Sequence, residues 1–173
     1  MDILVFKAKR HDKEAFGELI RLHTPNMYKV AKAILKNDDD VADAIQETAL
    51  LCWEKLASLK KDAYFKTWMT RILINNCNAI YQKRSRIISG EILPETGVEE
   101  PEYASVEWQQ FLQCLDEKYR VVVVLHYVEG FKIREIAEIL QINENTVSTR
   151  LASARQKMEK QYSQKSPKKM RIV

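Results

Sequence analysis

Residues 89–102 are the one long break in an otherwise helical pattern, and they divide the chain in two. Gly90, Pro94, Gly97 and Pro101 fall in this stretch, half of the eight glycines and prolines in the sequence. Glu91, Glu95, Glu99, Glu100 and Glu102 crowd the same segment with like charge. Such a composition neither packs nor holds a helix, so it is expected to be a linker. Elsewhere strong breakers are rare, and apolar residues recur three and four apart. The expectation is an all-α chain: two small helical domains joined by a flexible acidic linker. The boundaries fall at 1–86 for the first domain, 87–105 for the linker, 106–163 for the second domain and 164–173 for a basic tail.

In the first domain Asp12 is placed to cap a first helix carrying Phe16, Leu19 and Ile20. Pro25 suits the first turn of a second helix, with Thr24 as its cap and Val30, Ile34 and Leu35 inside. Asn37 and the run Asp38, Asp39, Asp40 form a turn and an acidic start for a third helix, favourable to its dipole. That helix runs to about Ser58 and buries Val41, Ala44, Ile45, Leu51 and Leu56. A polar loop, Lys60, Lys61 and Asp62, follows. A long helix from about Ala63 to Arg84 then buries Phe65, Trp68, Met69, Ile72, Leu73 and Ile80.

In the second domain helical pattern returns near Ser105, with apolar bulk between Leu115 and Val128. Residues 132–160 form two helices around a tight turn. Ile133, Ile136, Ala137 and Leu140 make the buried stripe of the first. Gln141 and Ile142 supply the turn, and Asn143 is a good N-cap for the second. There Val147, Leu151, Ala154 and Met158 repeat at four, three and four and face inward. The opposite arc carries Asn145, Ser148, Thr149, Ala152, Ser153 and Gln156, with Arg150 and Arg155 at its flanks. A helix of this kind fits the DNA major groove, small polar groups reaching base edges and arginines reaching phosphate or guanine. The same pattern also describes an ordinary helical hairpin with a solvated face.

Composition narrows the function classes. A net charge of +4 is a mild tilt towards polyanions, concentrated in a tail with Arg155, Lys157, Lys160, Lys165, Lys168, Lys169 and Arg171 against Glu159. No secretory signal precedes the first helix, and no apolar run reaches the roughly 18 to 20 residues of a membrane span. A cytoplasmic protein is expected. Cys52, Cys77 and Cys114 are far apart and odd in number, as are His11, His23 and His126. No metal pair and no nucleophile–base arrangement follows from such spacing. The cysteines are expected to be buried small hydrophobes. No catalysis, cofactor or metal is expected.

At this point the residues carry a resemblance. Leu115, Arg120, Val122 or Val123, Leu125, then Glu135-Ile136-Ala137, Leu140, Thr146-Val147, Thr149-Arg150-Leu151 and Ala154-Arg155 resemble region 4 of bacterial sigma factors, especially the extracytoplasmic-function (group IV) members of the sigma-70 family. The run Asp40 to Glu47 is similar to the region 2 pattern D-A-E-D-x-x-Q-E, and Thr67 to Ile72 with Asn75 to W-L-x-R-I-x-x-N. The chain passes directly from one region to the other, as in that minimal group. The resemblance implies a transcription initiation factor that binds core RNA polymerase and directs it to minus-10 and minus-35 promoter elements.

By the same resemblance, Asp43, Gln46 and Glu47, with Leu50 and Glu54 on the same strip, bind the clamp helices of the polymerase beta-prime subunit. Region 4 meets the beta flap. Without the resemblance that strip is simply a solvated acidic face. Lys60, Lys61, Asp62, Ala63 and Tyr64 form the loop that takes the melted minus-10 strand, with Lys66, Arg71 and Asn75 on the helix behind it. Single-stranded DNA needs cations for the backbone and aromatic faces for bases. Tyr64, Phe65, Trp68 and Tyr81 lie among Lys60, Lys61, Lys66, Arg71, Lys83, Arg84 and Arg86 in that manner. Phe65 and Trp68 are equally suited to a core, and Asn75 to a bond within the bundle. Asn145, Thr146, Ser148, Thr149 and Ser153 read duplex minus-35 DNA, with Arg150 and Arg155 on its backbone. The linker runs near the RNA exit path. An anti-sigma factor, membrane-anchored, controls the protein in response to stress.

The chain departs from the family pattern at named positions. Gln141 stands where a turn glycine is common and Asn145 where a glycine precedes Thr146-Val147. Ser148 and Ser153 replace cations, Ala42 a glutamate and Ala49 a phenylalanine. Two rivals share the helical pair: a two-domain helix-turn-helix regulator that acts without being a polymerase subunit, and a sigma-like decoy that binds polymerase or DNA unproductively.

Overall fold

The computed structural model describes residues 2–88, 112 and 114–165. The expected linker and basic tail fall almost wholly outside these residues. The described residues are helical, without strands, and divide into two compact units.

The first unit opens with a helix that the sequence pattern did not mark, α1 (Asp2–Lys9). Asp12 does cap a helix, accepting from the N–H groups of Glu14 and Ala15 at 3.1 and 3.0 Å, but that helix is the second, α2 (Lys13–Ile34). Between them His11 turns the chain at φ 65°, an uncommon conformation for a residue with a Cβ. Its ring meets Trp53, which also packs on Phe16 at 4.9 Å. That contact ties the turn to the third helix.

The expected break at Pro25 is absent, and α2 runs through it unbroken. Proline removes the donor to the Arg21 carbonyl, a loss that ordinarily ends or kinks a helix. Here Leu19, His23, Met27, Val30, Ala31 and Ile34 form one buried stripe on both sides of Pro25. Packing of that stripe outweighs the lost bond. Pro25 stands on the exposed side, and Thr24, rather than capping a new helix, donates its hydroxyl to the Ile20 carbonyl at 2.9 Å.

Asn37 caps α3 (Asp38–Lys55) through the Asp39 N–H at 2.7 Å, with three aspartates in the first turn. Lys32 reaches back to Asp38 at 2.8 Å. The helix tightens into a 3-10 turn at Leu56–Ser58, a second follows at Asp62–Tyr64, and α4 (Phe65–Ile88) then crosses the unit. It starts two residues later than expected and extends past Arg84. The α3–α4 contact is sealed by Asn76 donating to the Thr48 hydroxyl at 3.0 Å and by Arg84 Nε against the buried Asp40 at 2.8 Å. Burial pushes the Asp40 carboxyl up, and Arg84 opposes that shift. Leu19, Met27, Val41, Phe65, Met69 and Leu73 form the core. Cys52 and Cys77 are buried within the unit as small apolar groups, and burial raises the Cys52 thiol to about 12.

The second unit begins with α5 (Glu117–Val123), which widens into a π turn at Val124–Val128. Five successive residues there, Val121 to Leu125, are buried. Gly130 (φ 73°) closes the turn, with the Phe131 N–H on the Leu125 carbonyl at 3.0 Å. The two helices of the hairpin follow, α6 (Ile133–Leu140) and α7 (Glu144–Lys165). Ile136, Ala137, Val147, Leu151 and Ala154 pack inside, whereas Ile133 and Leu140 are only half-buried. Cys114 is half-buried and free of disulfide.

Candidate nucleic-acid and partner interfaces

On α3 the inward residues are Val41, Ala44, Thr48 and Cys52, so the opposite face turns outward. Asp43, Gln46, Glu47, Leu50 and Glu54 are all exposed there. Leu50 is 60% exposed in the middle of the acidic strip. It is a single apolar side chain set among exposed polar and acidic ones, not a contiguous apolar patch.

The segment after α3 alternates between anchored and outward residues. Leu59 is buried, Lys60 and Lys61 are exposed, Asp62 is half-buried, and Ala63 and Tyr64 are exposed. Lys9 of α1 accounts for the anchors. Its Nζ donates to the Leu59 carbonyl at 2.6 Å and to Asp62 Oδ1 at 2.5 Å. The Asp62 carboxylate is thus committed inward. Tyr64 is 55% exposed, with Lys61 Nζ 5.9 Å from its ring centroid and the Tyr64 N–H on the Lys61 carbonyl at 3.0 Å. A cation and an aromatic face stand side by side, the pairing that a single strand needs.

Behind the loop, the aromatic candidates separate. Phe65 is 1% exposed and packs on His23 and Trp68, so it belongs to the core. Trp68 is half-buried rather than buried. Arg71 and Asn75 are exposed on α4, Lys66 half-buried. Asn76, which sequence reasoning passed over, makes the interhelical bond in place of its neighbour Asn75. Arg84 is drawn into the Asp40 ion pair. His23 is buried with neither ring nitrogen hydrogen-bonded, and burial first, then the Lys66 charge, hold its pKa below the usual 6.5.

In the hairpin, the Lys132 N–H donates to Glu135 at 2.8 Å and fixes the start of α6. Gln141 takes φ 56°, and the Ile142 N–H reaches the Ala137 carbonyl at 3.1 Å. This six-to-one closure normally employs glycine. Asn143 Oδ1 accepts from both the N–H and the hydroxyl of Thr146 at 2.7 Å, capping α7 as expected. Asn145, Ser148, Thr149 and Arg155 are exposed on α7, while Thr146, Arg150 and Ser153 are half-buried. Ser148 and Thr149 donate back to the Glu144 and Asn145 carbonyls, so their oxygens stand outward as acceptors.

Two further contacts of α7 were not visible in local spacing. Arg155 donates to the hydroxyl of Tyr127 on the π turn, and Lys157 pairs with Asp116 at 2.8 Å while lying over the Tyr119 ring. That hydrogen bond lowers the Asp116 pKa and raises that of Lys157. Among the described residues no helix is long and apolar enough to cross a membrane, and no group of three or more His, Cys, Asp or Glu is arranged to hold a metal ion.

Comparison with known proteins gives these faces a family. Residues 19–87 match the model for Sigma-70 region 2 and residues 105–158 that for Sigma-70, region 4. The ECF RNA polymerase sigma factor SigW of Bacillus subtilis is 28% identical over 174 residues, covering 90% of this chain and 92% of that protein. The RNA polymerase sigma factor SigV of Bacillus subtilis is 27% identical, covering 86% and 91%. The fold is similar to CnrH in complex with the cytosolic domain of CnrY (TM-score 0.71, 24% identity, covering 95% of this chain and 98% of that one). It is also similar to the sigma factor RpoE of Bartonella quintana in complex with the anti-sigma factor NepR (TM-score 0.74, 23% identity, 86% and 96%). With the two region models in chain order spanning more than half of the sequence, the chain belongs to the sigma-70 family, in its extracytoplasmic-function (ECF) group of RNA polymerase sigma factors.

Proposed function

We propose that this sigma factor divides polymerase docking and promoter recognition among three faces. The α3 strip of Asp43, Gln46, Glu47, Leu50 and Glu54 docks on the beta-prime clamp helices of core RNA polymerase, and the second unit meets the beta flap. Lys60, Lys61, Ala63 and Tyr64, with Lys66, Arg71 and Asn75, hold the melted minus-10 strand, and Asp62 keeps the loop in shape from within. Asn145, Thr146, Ser148, Thr149 and Ser153 read duplex minus-35 DNA, with Arg150 and Arg155 on phosphates. The observation that carries this reading is the outward acidic strip around Leu50, followed in the same chain by a capped recognition helix with a polar outer face.

The two DNA-reading parts occupy residues 1–86 and 106–163, tethered by residues 87–105 with a basic tail at 164–173. Each element alone is bound weakly, and the tether to polymerase raises the effective concentration of the second contact. The protein supplies no chemistry of its own and works in the cytoplasm on promoter DNA. Because structural neighbours were solved with CnrY and with the anti-sigma factor NepR, a protein antagonist is proposed here too, membrane-anchored and released under stress.

Run-off transcription with core polymerase and a random-promoter library tests the assignment. Transcripts that require both the core enzyme and this chain, with enriched sequences at two spaced elements, are expected. Specific duplex binding without polymerase and without transcripts would instead identify a separate regulator.

A further inference from the structure

We infer that Lys9 is a positioning residue for minus-10 reading: it sets the shape of the loop that presents Tyr64 and Lys61. This rests on the assignment of residues 60–64 to the minus-10 strand. The loop has little local means of holding itself. Lys60 and Lys61 are adjacent like charges, and neither of the flanking 3-10 turns has a side-chain cap. One ammonium, arriving from 50 residues away, bonds the carbonyl before the pair and the carboxylate after it. Both ends of the Lys60-Lys61 dipeptide are therefore fixed, and its side chains are left outward.

The support for that ammonium is rigid. Val5 and Ala8 of α1 are buried at 1 and 2% exposure, and the turn after Lys9 is held by the Arg10 and His11 N–H groups on the Lys7 and Ala8 carbonyls. The Lys9 and Asp62 side chains are themselves only 22 and 27% exposed, so the pair is partly shielded from solvent and salt. Lys9 touches no DNA in this scheme. It converts a flexible basic loop into a preorganised one, and preorganised contacts discriminate between bases where floppy ones only attract phosphate.

The test uses full-length protein in holoenzyme on a selected promoter and on versions substituted at single minus-10 or minus-35 positions. Lys9→Met is expected to lower minus-10 discrimination on the order of tenfold, the scale of one weakened base–aromatic stack, with minus-35 discrimination retained. Lys9→Arg, which keeps two donors in reach, restores it. Should Lys9→Met not fold by circular dichroism, Lys9→Gln retains an N–H for the Leu59 carbonyl and shows an intermediate loss. Minus-10 discrimination unchanged by Lys9→Met, or lost in equal measure with minus-35 discrimination, overturns the inference. Tyr64→Ala separates the two levels. If it too leaves minus-10 discrimination intact, the loop assignment has failed; if it alone abolishes discrimination, only the role of Lys9 has.

Discussion

Arg155 donates a hydrogen bond to the phenolic oxygen of Tyr127 at 3.0 Å, across 28 residues of sequence and from the recognition helix to the π turn of α5. The bond takes one of the five guanidinium donors and aims the others along one flank of α7. It also leaves the phenolic hydrogen free to donate outward. Tyr127→Phe is expected to weaken binding of minus-35 duplex by about twofold, the small effect of losing one solvent-exposed, charge-assisted hydrogen bond that only orients Arg155. In an Arg155→Ala background the same change should do nothing further. Anisotropy titrations with all four proteins give the cycle; additive losses would show that the two side chains act separately. Arg150→Ala, on the other flank, is expected to reduce the salt slope by about one.

The two left-handed residues that flank α6 make opposite predictions. Gln141 at φ 56° carries a Cβ in a conformation that glycine adopts freely, so Gln141→Gly is expected to stabilise the fold by about 1 kcal/mol. At Gly130, φ 73°, no atom lies within 4 Å of the place a Cβ would take, yet Gly130→Ala is expected to cost about 1 kcal/mol through backbone strain alone. Urea midpoints would reveal both; a destabilised Gln141→Gly would mean that the glutamine side chain makes a compensating contact.

His23 predicts an acid-sensitive first unit. Its folded pKa lies below the unfolded value of 6.5, chiefly through burial and then through Lys66. The unfolded chain therefore takes up the proton first as pH falls, and stability present above 6.5 is lost on going below it. His23→Leu removes this titration and two unbonded ring nitrogens, so it is expected to flatten the pH dependence between about 7.5 and 5.5 and to raise stability by about 1 kcal/mol. Thermal melts at the two pH values decide; an equal pH slope in the variant would assign the sensitivity elsewhere. Asp40 has the opposite sign, its raised carboxyl favouring the folded state below the unfolded value of 3.8 and losing that contribution as pH rises through the folded pKa.

The α3 strip gives a separable prediction for polymerase docking. Gln46→Ala with Glu47→Lys, and independently Leu50→Ser, are expected to weaken core polymerase binding by roughly tenfold or more while leaving the melting temperature in place, because none of these side chains is buried. Unchanged retention in a core-polymerase pull-down would remove this face from the interface.

The parts of the fold that local pattern encodes were legible. Asn37 and Asn143 are caps whose chemistry is complete within three residues, and Val147, Leu151 and Ala154 orient α7 by spacing alone. What escaped depends on partners far away in sequence. In α1, Ile3, Leu4, Val5 and Phe6 are apolar in succession, so no stripe identifies Val5 as the inward residue. Pro25 is a breaker by every local rule, and only the tertiary burial of Leu19, Met27 and Val30 keeps the helix whole. Asp62, Arg84 and Arg155 were assigned by charge type, but each is engaged by a residue 28 to 53 positions away. Spacing carries no information about such pairs.

The outer face of α7 has one more consequence. Asn145, Ser148, Thr149, Ala152 and Gln156 present exposed and uncharged groups, where each added cation would bring a further phosphate contact and its released counterion. Nonspecific affinity for DNA rises with every such contact, whatever the sequence. If this face reads DNA as proposed, its neutrality is expected to leave the free protein weakly retained by bulk DNA. The protein would then partition towards polymerase and meet promoter DNA as part of the enzyme that will use it.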